Sequence, residues 1–196
     1  MVIIIASNDV MNKKDDKYLI EQVLAGDVNS FSFIVERHKN RSFNLAIKIC
    51  GNREDAEEIV QDAFLKAYRS LGGFRKESNF ATWLYRIVYN TAISQIRNKN
   101  ENTTPLEDAM LEVYNRSDVD ENETDNERRK LLINFALGKL NEVDRGLITF
   151  MYYDDLTIDE MVEITGMSAS NIKVRLHRSR QKLLETLTKT QNNESI

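Results

Sequence analysis

The chain has 196 residues, enough for one or two domains, and a globular composition of 41% hydrophobic and 30% charged residues with only 7 glycines and 1 proline. So few breakers exclude a protein built mainly of strands and tight turns and point to mostly helix, while a lone Cys50 excludes an internal disulfide and fits a reducing cytoplasm. The net charge of −4 hides an uneven distribution, with residues 1–100 at +3, residues 101–127 at −9 and residues 128–196 at +2, so overall acidity is no guide to nucleic-acid binding.

The opening Val2 to Ala6 is apolar but far too short for a signal or spanning segment and has no basic residue before it. A soluble cytoplasmic protein with no membrane insertion is therefore expected. Met1 to Asp15 is otherwise polar and is expected to fray. Asp16 to Ala25 reads as a helix with Leu19, Ile20, Val23 and Leu24 apolar and Gly26 as its stop. Asp27 is placed to cap the next element. Phe31, Ile34, Val35, Phe43, Leu45, Ala46, Ile47 and Ile49 supply core for a hairpin ending at Gly51-Asn52. Asp55 then stands as the cap of a further helix.

In that helix Ala56, Ile59, Val60, Ala63, Ala67 and Leu71 recur at helical spacing as one buried stripe, with Phe64 at its edge. Glu58, Gln61, Asp62, Leu65 and Arg69 fall on the opposite side. A solvated polar face is the ordinary explanation for such a set, but Leu65 is an apolar side chain inside a ring of acids and amides. A small apolar anchor within a polar rim is how a protein-docking patch is usually built.

A Gly-Gly break and an aromatic and basic loop lead to a second helical pattern from Phe80 to Arg97. Leu84, Ile87, Val88, Ala92 and Ile96 make its core side, widened by Tyr85 and Tyr89, while Trp83, Arg86, Asn90, Ile93, Ser94 and Arg97 share the remaining face. Trp83 could simply be a core residue with its N–H satisfied. Arginine meets phosphate, however, an amide can read a base edge, and an indole can stack on an unpaired base. Phe74, Arg75, Lys76 and Phe80 interleave aromatic and basic groups just before it. From Phe64 to Asn100 there are seven Lys/Arg and one Glu.

Periodicity disappears from Glu101 to Glu127, where Pro105 sits among Asn, Thr and acids. Ala109, Met110, Leu111 and Val113 could form one helical turn, and the rest reads as a flexible acidic linker. Leu131, Leu132, Phe135, Ala136 and Leu140 open a second helical block that Leu147, Ile148, Phe150 and Met151 continue, with Gly138 and Gly146 as weak points. Thr157-x-x-Glu160 is a capping box ahead of Ile158, Met161, Val162 and Ile164. Gly166-Met167-Ser168 makes a turn, and a helix from Ser168 or Ala169 runs to about Thr188.

That layout is a helix-turn-helix. Ile172, Leu176, Ser179 and Leu183 form the inner stripe of its second helix. Ser170, Val174, His177 and Gln181 face outward, flanked by Asn171, Lys173 and Arg178, and six Lys/Arg stand against one Glu from Ser168 to Lys189. Arg175 and Arg180 lie nearer the core edge, placed for backbone phosphate or a neighbouring carboxylate. The fold expected is all-α: a helical domain over residues 1–100, a linker over 101–127 and a helix-turn-helix domain over 128–196.

The runs DAEEIVQDAFLKAY (Asp55 to Tyr68) and FATWLYRIVYNTAISQIR (Phe80 to Arg97) resemble the second conserved region of bacterial sigma factors, in particular the extracytoplasmic-function (RpoE-like) group. With the helix-turn-helix as the fourth region, the resemblance covers roughly Asp16 to Asn100 and Glu127 to about Thr188. It implies that Asp55, Glu58, Gln61, Asp62 and Leu65 dock on core RNA polymerase. It implies that Phe74, Arg75, Lys76, Phe80, Trp83, Arg86, Asn90, Ser94 and Arg97 capture the locally melted minus-ten promoter element. Ser168, Ser170, Asn171, Lys173, Val174, His177, Arg178 and Gln181 would hold the duplex minus-thirty-five element, with His177 departing from the aromatic or basic residue expected there. The acidic linker would thread along the polymerase, and an anti-sigma factor is a further candidate partner.

Enzymatic chemistry has no support in the sequence. His38, His177 and Cys50 do not have zinc-site spacing, and no P-loop, dinucleotide fingerprint or nucleophile elbow occurs. No catalytic residue, metal or cofactor is expected. The rival reading is a stand-alone helix-turn-helix regulator whose first domain senses a ligand or dimerises.

Overall fold

The computed structural model describes residues 14–74, 79–100 and 125–193. Within them the chain is helical: α1 (Asp16–Leu24), α2 (Ser30–Cys50), α3 (Arg53–Ser70), a short 3-10 turn (Leu71–Gly73), α4 (Phe80–Asn100), α5 (Asp125–Gly138), α6 (Glu142–Tyr152), α7 (Ile158–Thr165) and α8 (Ala169–Asn193). The expectations for residues 1–13, for the loop 75–78 and for 101–124 lie outside the described residues.

Several local expectations shift by a turn. Asp15 is the N-cap of α1, accepting from the Tyr18 amide at 2.8 Å. Leu24, at the end of that helix, is 54% exposed. The predicted hairpin is instead one 21-residue helix, α2. No glycine or proline interrupts residues 30–50, and its inner face runs Ile34, His38, Ser42, Leu45 and Ile49. The polar His38 and Ser42 leave a gap in the apolar pattern that imitates a turn. Asp27 does serve the start of α2, accepting from the Asn29 amide at 3.1 Å and the Ser30 hydroxyl at 2.6 Å.

The N-cap of α3 is Asn52, which accepts from the Asp55 amide at 2.8 Å. Asp55 is therefore inside the helix, where its carboxylate accepts from Asn52 Nδ2 at 2.7 Å and from Lys99 Nζ. Helix α5 begins at Asp125, so the last three residues assigned to the linker are helical. The Thr157–Glu160 capping box is fully formed, and Gly166 ends α7 at φ 71°, a left-handed conformation that favours glycine.

Helices α2, α3 and α4 pack on one another, with α1 against α2; α8 packs on α5, α6 and α7. Ile34, Leu45, Ile59, Leu84 and Val88 are fully buried in the first unit, and Phe150, Leu147, Met161 and Ile172 in the second. Burying each such side chain contributes about 1.5–3 kcal/mol. The two units also pack together, α6 lying on α2 and α4, and α7 on α4. Tyr89 meets Phe150 with ring centroids 5.6 Å apart, and Tyr85 stacks on the same ring at 6.3 Å. The tyrosines that the sequence placed on the core side of α4 fill the seam between units.

Candidate nucleic-acid interface and docking groove

Helix α3 presents Leu65 at 54% exposure, with Glu58 and Gln61 exposed beside it. Asp62 is half-buried and pairs with Lys66 one turn on, 3.8 Å away. Leu65 is one wall of an open apolar groove of about 610 Å³, formed with Val28, Phe31, Val35, Val60, Phe64 and Tyr68. Val28, 58% exposed, and Tyr68, 38% exposed, are groove residues that sequence reasoning missed. Phe31 and Val35 read as core and are only half-buried, and Val60, read as part of the buried stripe, is half-buried too. The signal available was the surplus of apolar residues over what the α2–α3 contact needs. Asp55 stands apart from the groove rim. Burial alone would push its carboxyl up, but hydrogen bonds from Lys99 and Asn52 outweigh that and hold it below the usual range.

On α4, Arg86, Asn90, Ser94 and Arg97 are all exposed, and their spacing puts them on one face. Trp83 is half-buried at the head of that row. It leans on Phe74 at 5.2 Å and on Phe80 at 5.5 Å, and Phe74 and Phe80 meet edge to face at 5.5 Å. Phe80 is a correction: only 4% exposed, it is the floor of the cluster and packs on His38 at 5.6 Å rather than facing outward. Ile93 is a second correction, buried at 8%. Arg75 and Lys76 fall outside the described residues. The cluster borders a cavity of about 330 Å³ that Asp15, Asp16, Lys17, Ile20 and Asn79 help to line, none of which the sequence had assigned to a binding face. Asp16 ties this corner together, accepting from Arg37 at 2.6 Å and hydrogen-bonding His38 at 2.9 Å.

On α8, Ser170, Asn171, Lys173, His177, Arg178 and Gln181 are exposed, and Val174 is 44% exposed. Ile172, Leu176 and Ser179 are buried beneath them. Ser168 acts as a cap, its hydroxyl accepting from the Asn171 amide at 3.3 Å. Arg175 turns inward to Asp144 at 2.5 Å, so the carboxylate is the partner it takes. The exposed basic groups Lys173, Arg178, Arg180 and Lys182 leave the outer surface of α8 positive. Among the described residues no group of three or more His, Cys, Asp or Glu could hold a metal ion, and no helix is long and apolar enough to cross a membrane.

Fold and surfaces together define a class: a two-unit, all-α helix-turn-helix protein with an aromatic and basic helix face in one unit and a separate apolar groove. Comparison with known proteins narrows it. The model of Sigma-70 region 2 matches residues 34–101, and that of Sigma-70 region 4 matches residues 130–183. The chain is 31% identical over 179 residues to the ECF RNA polymerase sigma factor SigW of Bacillus subtilis, covering 87% of this chain and 96% of that protein. It is 31% identical over 175 residues to the ECF RNA polymerase sigma-E factor of Haemophilus influenzae, covering 85% and 92%. Among solved structures, CnrH in complex with the cytosolic domain of CnrY shares the fold at a TM-score of 0.64 and 23% identity, over 89% of this chain and 97% of that one. RpoE from Bartonella quintana, in complex with NepR, shares it at 0.62 and 22% identity, over 81% and 96%. The chain belongs to the ECF family of RNA polymerase sigma factors.

Proposed function

We propose that this sigma factor recruits core RNA polymerase to specific promoters in the cytoplasm and helps melt the minus-ten element, acting as a non-catalytic initiation factor. The observation that carries the reading is the separation of surfaces. The Leu65 groove lies on α3, the Trp83–Arg86–Asn90–Arg97 row on α4, and the basic reading face on α8, so three partners are engaged by three distinct sets of side chains. The groove, rimmed by Glu58 and Gln61, takes a polymerase subunit. Trp83, on its base of Phe74 and Phe80, stacks on a nucleobase as the strands part while Arg86 and Arg97 hold phosphate. Each captured base offsets about 1–3 kcal/mol of the opening cost. Lys173, Val174, His177 and Arg178 read the major groove of the minus-thirty-five element, and α8 offers its N-terminal amides to a phosphate.

Each unit has a small footprint alone, and covalent connection raises affinity through effective concentration. RpoE was solved with the anti-sigma factor NepR, and a similar inhibitor is a further partner proposed for this chain. The test is run-off transcription with purified core polymerase and a randomised promoter library. The expected result is enrichment of a two-part sequence. Nanomolar specific DNA binding by the free protein in a gel shift, with no stimulation of core polymerase, would instead favour a stand-alone regulator.

A further inference from the structure

A charged clamp lies beneath the aromatic cluster of α4. The carboxylate of Asp16, first residue of α1, is held by two successive residues of α2, one on each oxygen. Arg37 donates to Oδ1 at 2.6 Å, and His38 Nε2 lies 2.9 Å from Oδ2. Arg37 also donates to the Lys14 carbonyl, so it holds the backbone entering α1 as well. Asp16 is ionised at neutral pH, and an ionised carboxylate only accepts, so His38 Nε2 carries the hydrogen. That bond fixes the orientation of the imidazole. The ring then meets Phe80 edge to face, with centroids 5.6 Å apart and 66° between the planes. Phe80 in turn supports Trp83 at 5.5 Å. An unbroken chain of contacts joins the start of α1 to the half-buried indole.

Stability alone does not ask for this arrangement. His38 is 7% exposed on a face that also carries Ile34, Leu45 and Ile49, and a hydrocarbon there would spare the desolvation of polar groups. Burial works against the Asp16 charge, and the hydrogen bonds and charge of His38 and Arg37 only win that loss back. What the clamp supplies beyond a hydrocarbon is direction. Apolar contact is non-directional, whereas a hydrogen bond to a carboxylate constrains angle as well as distance. Direction matters here because a cavity of about 330 Å³ opens beside Phe74 and Phe80. Packing on that side leaves Phe80 room to turn. Only 4% exposed, Phe80 does not itself face a partner, yet whatever orients it also orients Trp83.

We infer that His38, oriented by Asp16, is a positioning residue for promoter opening: it holds Phe80 against the neighbouring cavity and so sets the Trp83 indole in its stacking orientation. The role in opening rests on the function proposed above, and the hold on Trp83 does not. Two variants separate direction from bulk. His38→Leu keeps a buried apolar group and removes the donor. His38→Gln removes the ring but keeps an N–H donor at about the reach of Nε2, free to bond Asp16 and present a fixed amide plane to Phe80. Replacing a buried polar group by a hydrocarbon is often neutral or stabilising, so His38→Leu is expected to melt near or above wild type.

Trp83 is the single tryptophan of the chain, so the fluorescence of the full-length protein reports on this cluster alone. His38→Leu is expected to shift the emission to the red and to raise quenching by acrylamide, and His38→Gln to return both toward wild type. Unchanged fluorescence in His38→Leu, or an equal change in His38→Gln, would overturn the positioning role. Run-off transcription with core polymerase then tests opening. On a duplex promoter His38→Leu is expected to lose about 2- to 10-fold, the scale of a side chain held off its preferred rotamer, and to recover on a template with a preformed bubble. Equal losses on both templates, or none on the duplex where Trp83→Ala is impaired, would overturn the role in opening. A wild type that does not stimulate core polymerase would sink the proposed function instead, and the fluorescence would still decide the hold on Trp83.

Discussion

Lys99 donates from the last turn of α4 to the carboxylate of Asp55 in the first turn of α3, tying together the helix that carries the groove and the helix that carries the aromatic cluster. Asp55 is thus committed to its own chain, through Lys99 and Asn52, whereas Leu65 is not. The two residues are expected to fail differently when changed.

Leu65→Asp should lower affinity for core polymerase at least tenfold in a pull-down or titration, the scale of a centrally placed apolar anchor of about 1.4 kcal/mol or more. Its melting temperature should stay near wild type, because the side chain is exposed. Asp55→Ala should show the reverse, with a stability loss of about 1 kcal/mol from the half-buried ion pair with Lys99 and the hydrogen bond from Asn52, and polymerase affinity within about twofold. Equal loss of binding in both variants would place Asp55 in the interface after all.

Trp83→Ala should impair opening rather than recruitment. Losing one stacking surface of about 1–3 kcal/mol predicts a drop of roughly 5- to 150-fold in run-off from a duplex promoter. A template carrying a preformed mismatch bubble should restore much of that output. Equal defects on both templates would reduce Trp83 to a packing residue of the Phe74–Phe80 cluster.

Arg180→Ala and Val174→Ala separate positioning from reading on α8. If Arg180, exposed at the edge of α8, meets phosphate, its loss should weaken holoenzyme binding to all promoters alike and reduce the salt slope by about 1. Val174→Ala should leave the slope unchanged and alter the preferred base at one upstream position. The measurement is promoter binding across a salt series, with the randomised library run in parallel.

Acid should loosen the corner where α1 meets α2. Burial tends to raise the Asp16 carboxyl, but hydrogen bonds and charge from His38 and Arg37 more than compensate and hold it below the usual carboxylate range. A depressed acid stabilises the fold at pH values above its unfolded pKa of about 4, and that contribution is lost as pH falls through the lower folded value. Melting curves from pH 7 to pH 3 should therefore fall more steeply for wild type than for Asp16→Asn below about pH 4, with parallel curves at higher pH. Parallel curves across the whole range would remove Asp16 from the account.

Much of this was legible in the residues alone. The stripe of Ala56, Ile59, Ala63 and Ala67, the Thr157–Glu160 box, the Gly166 turn and the outward set on α8 are local patterns, and local patterns survive into the fold. Leu65 stood out because it broke such a pattern. The continuity of α2 did not show, because His38 and Ser42 are satisfied or buried by partners distant in sequence. Phe80 read as surface because an aromatic beside basic residues looks the same whether it stacks on DNA or on His38. The seam was least legible. Gly146 alone reads as a flaw in a helix, and only the neighbouring Tyr89 gives its bareness a reason.

The split personality of α8 bears on how such proteins multiply. Folding rests on Ile172, Leu176 and Ser179 beneath, while Lys173, Val174, His177 and Arg178 lie on the outside. If those outer side chains read the promoter as proposed, a duplicated gene that drifts only there keeps its architecture yet answers to a new set of addresses. Diversification of this kind needs few substitutions and no intermediate that cannot fold.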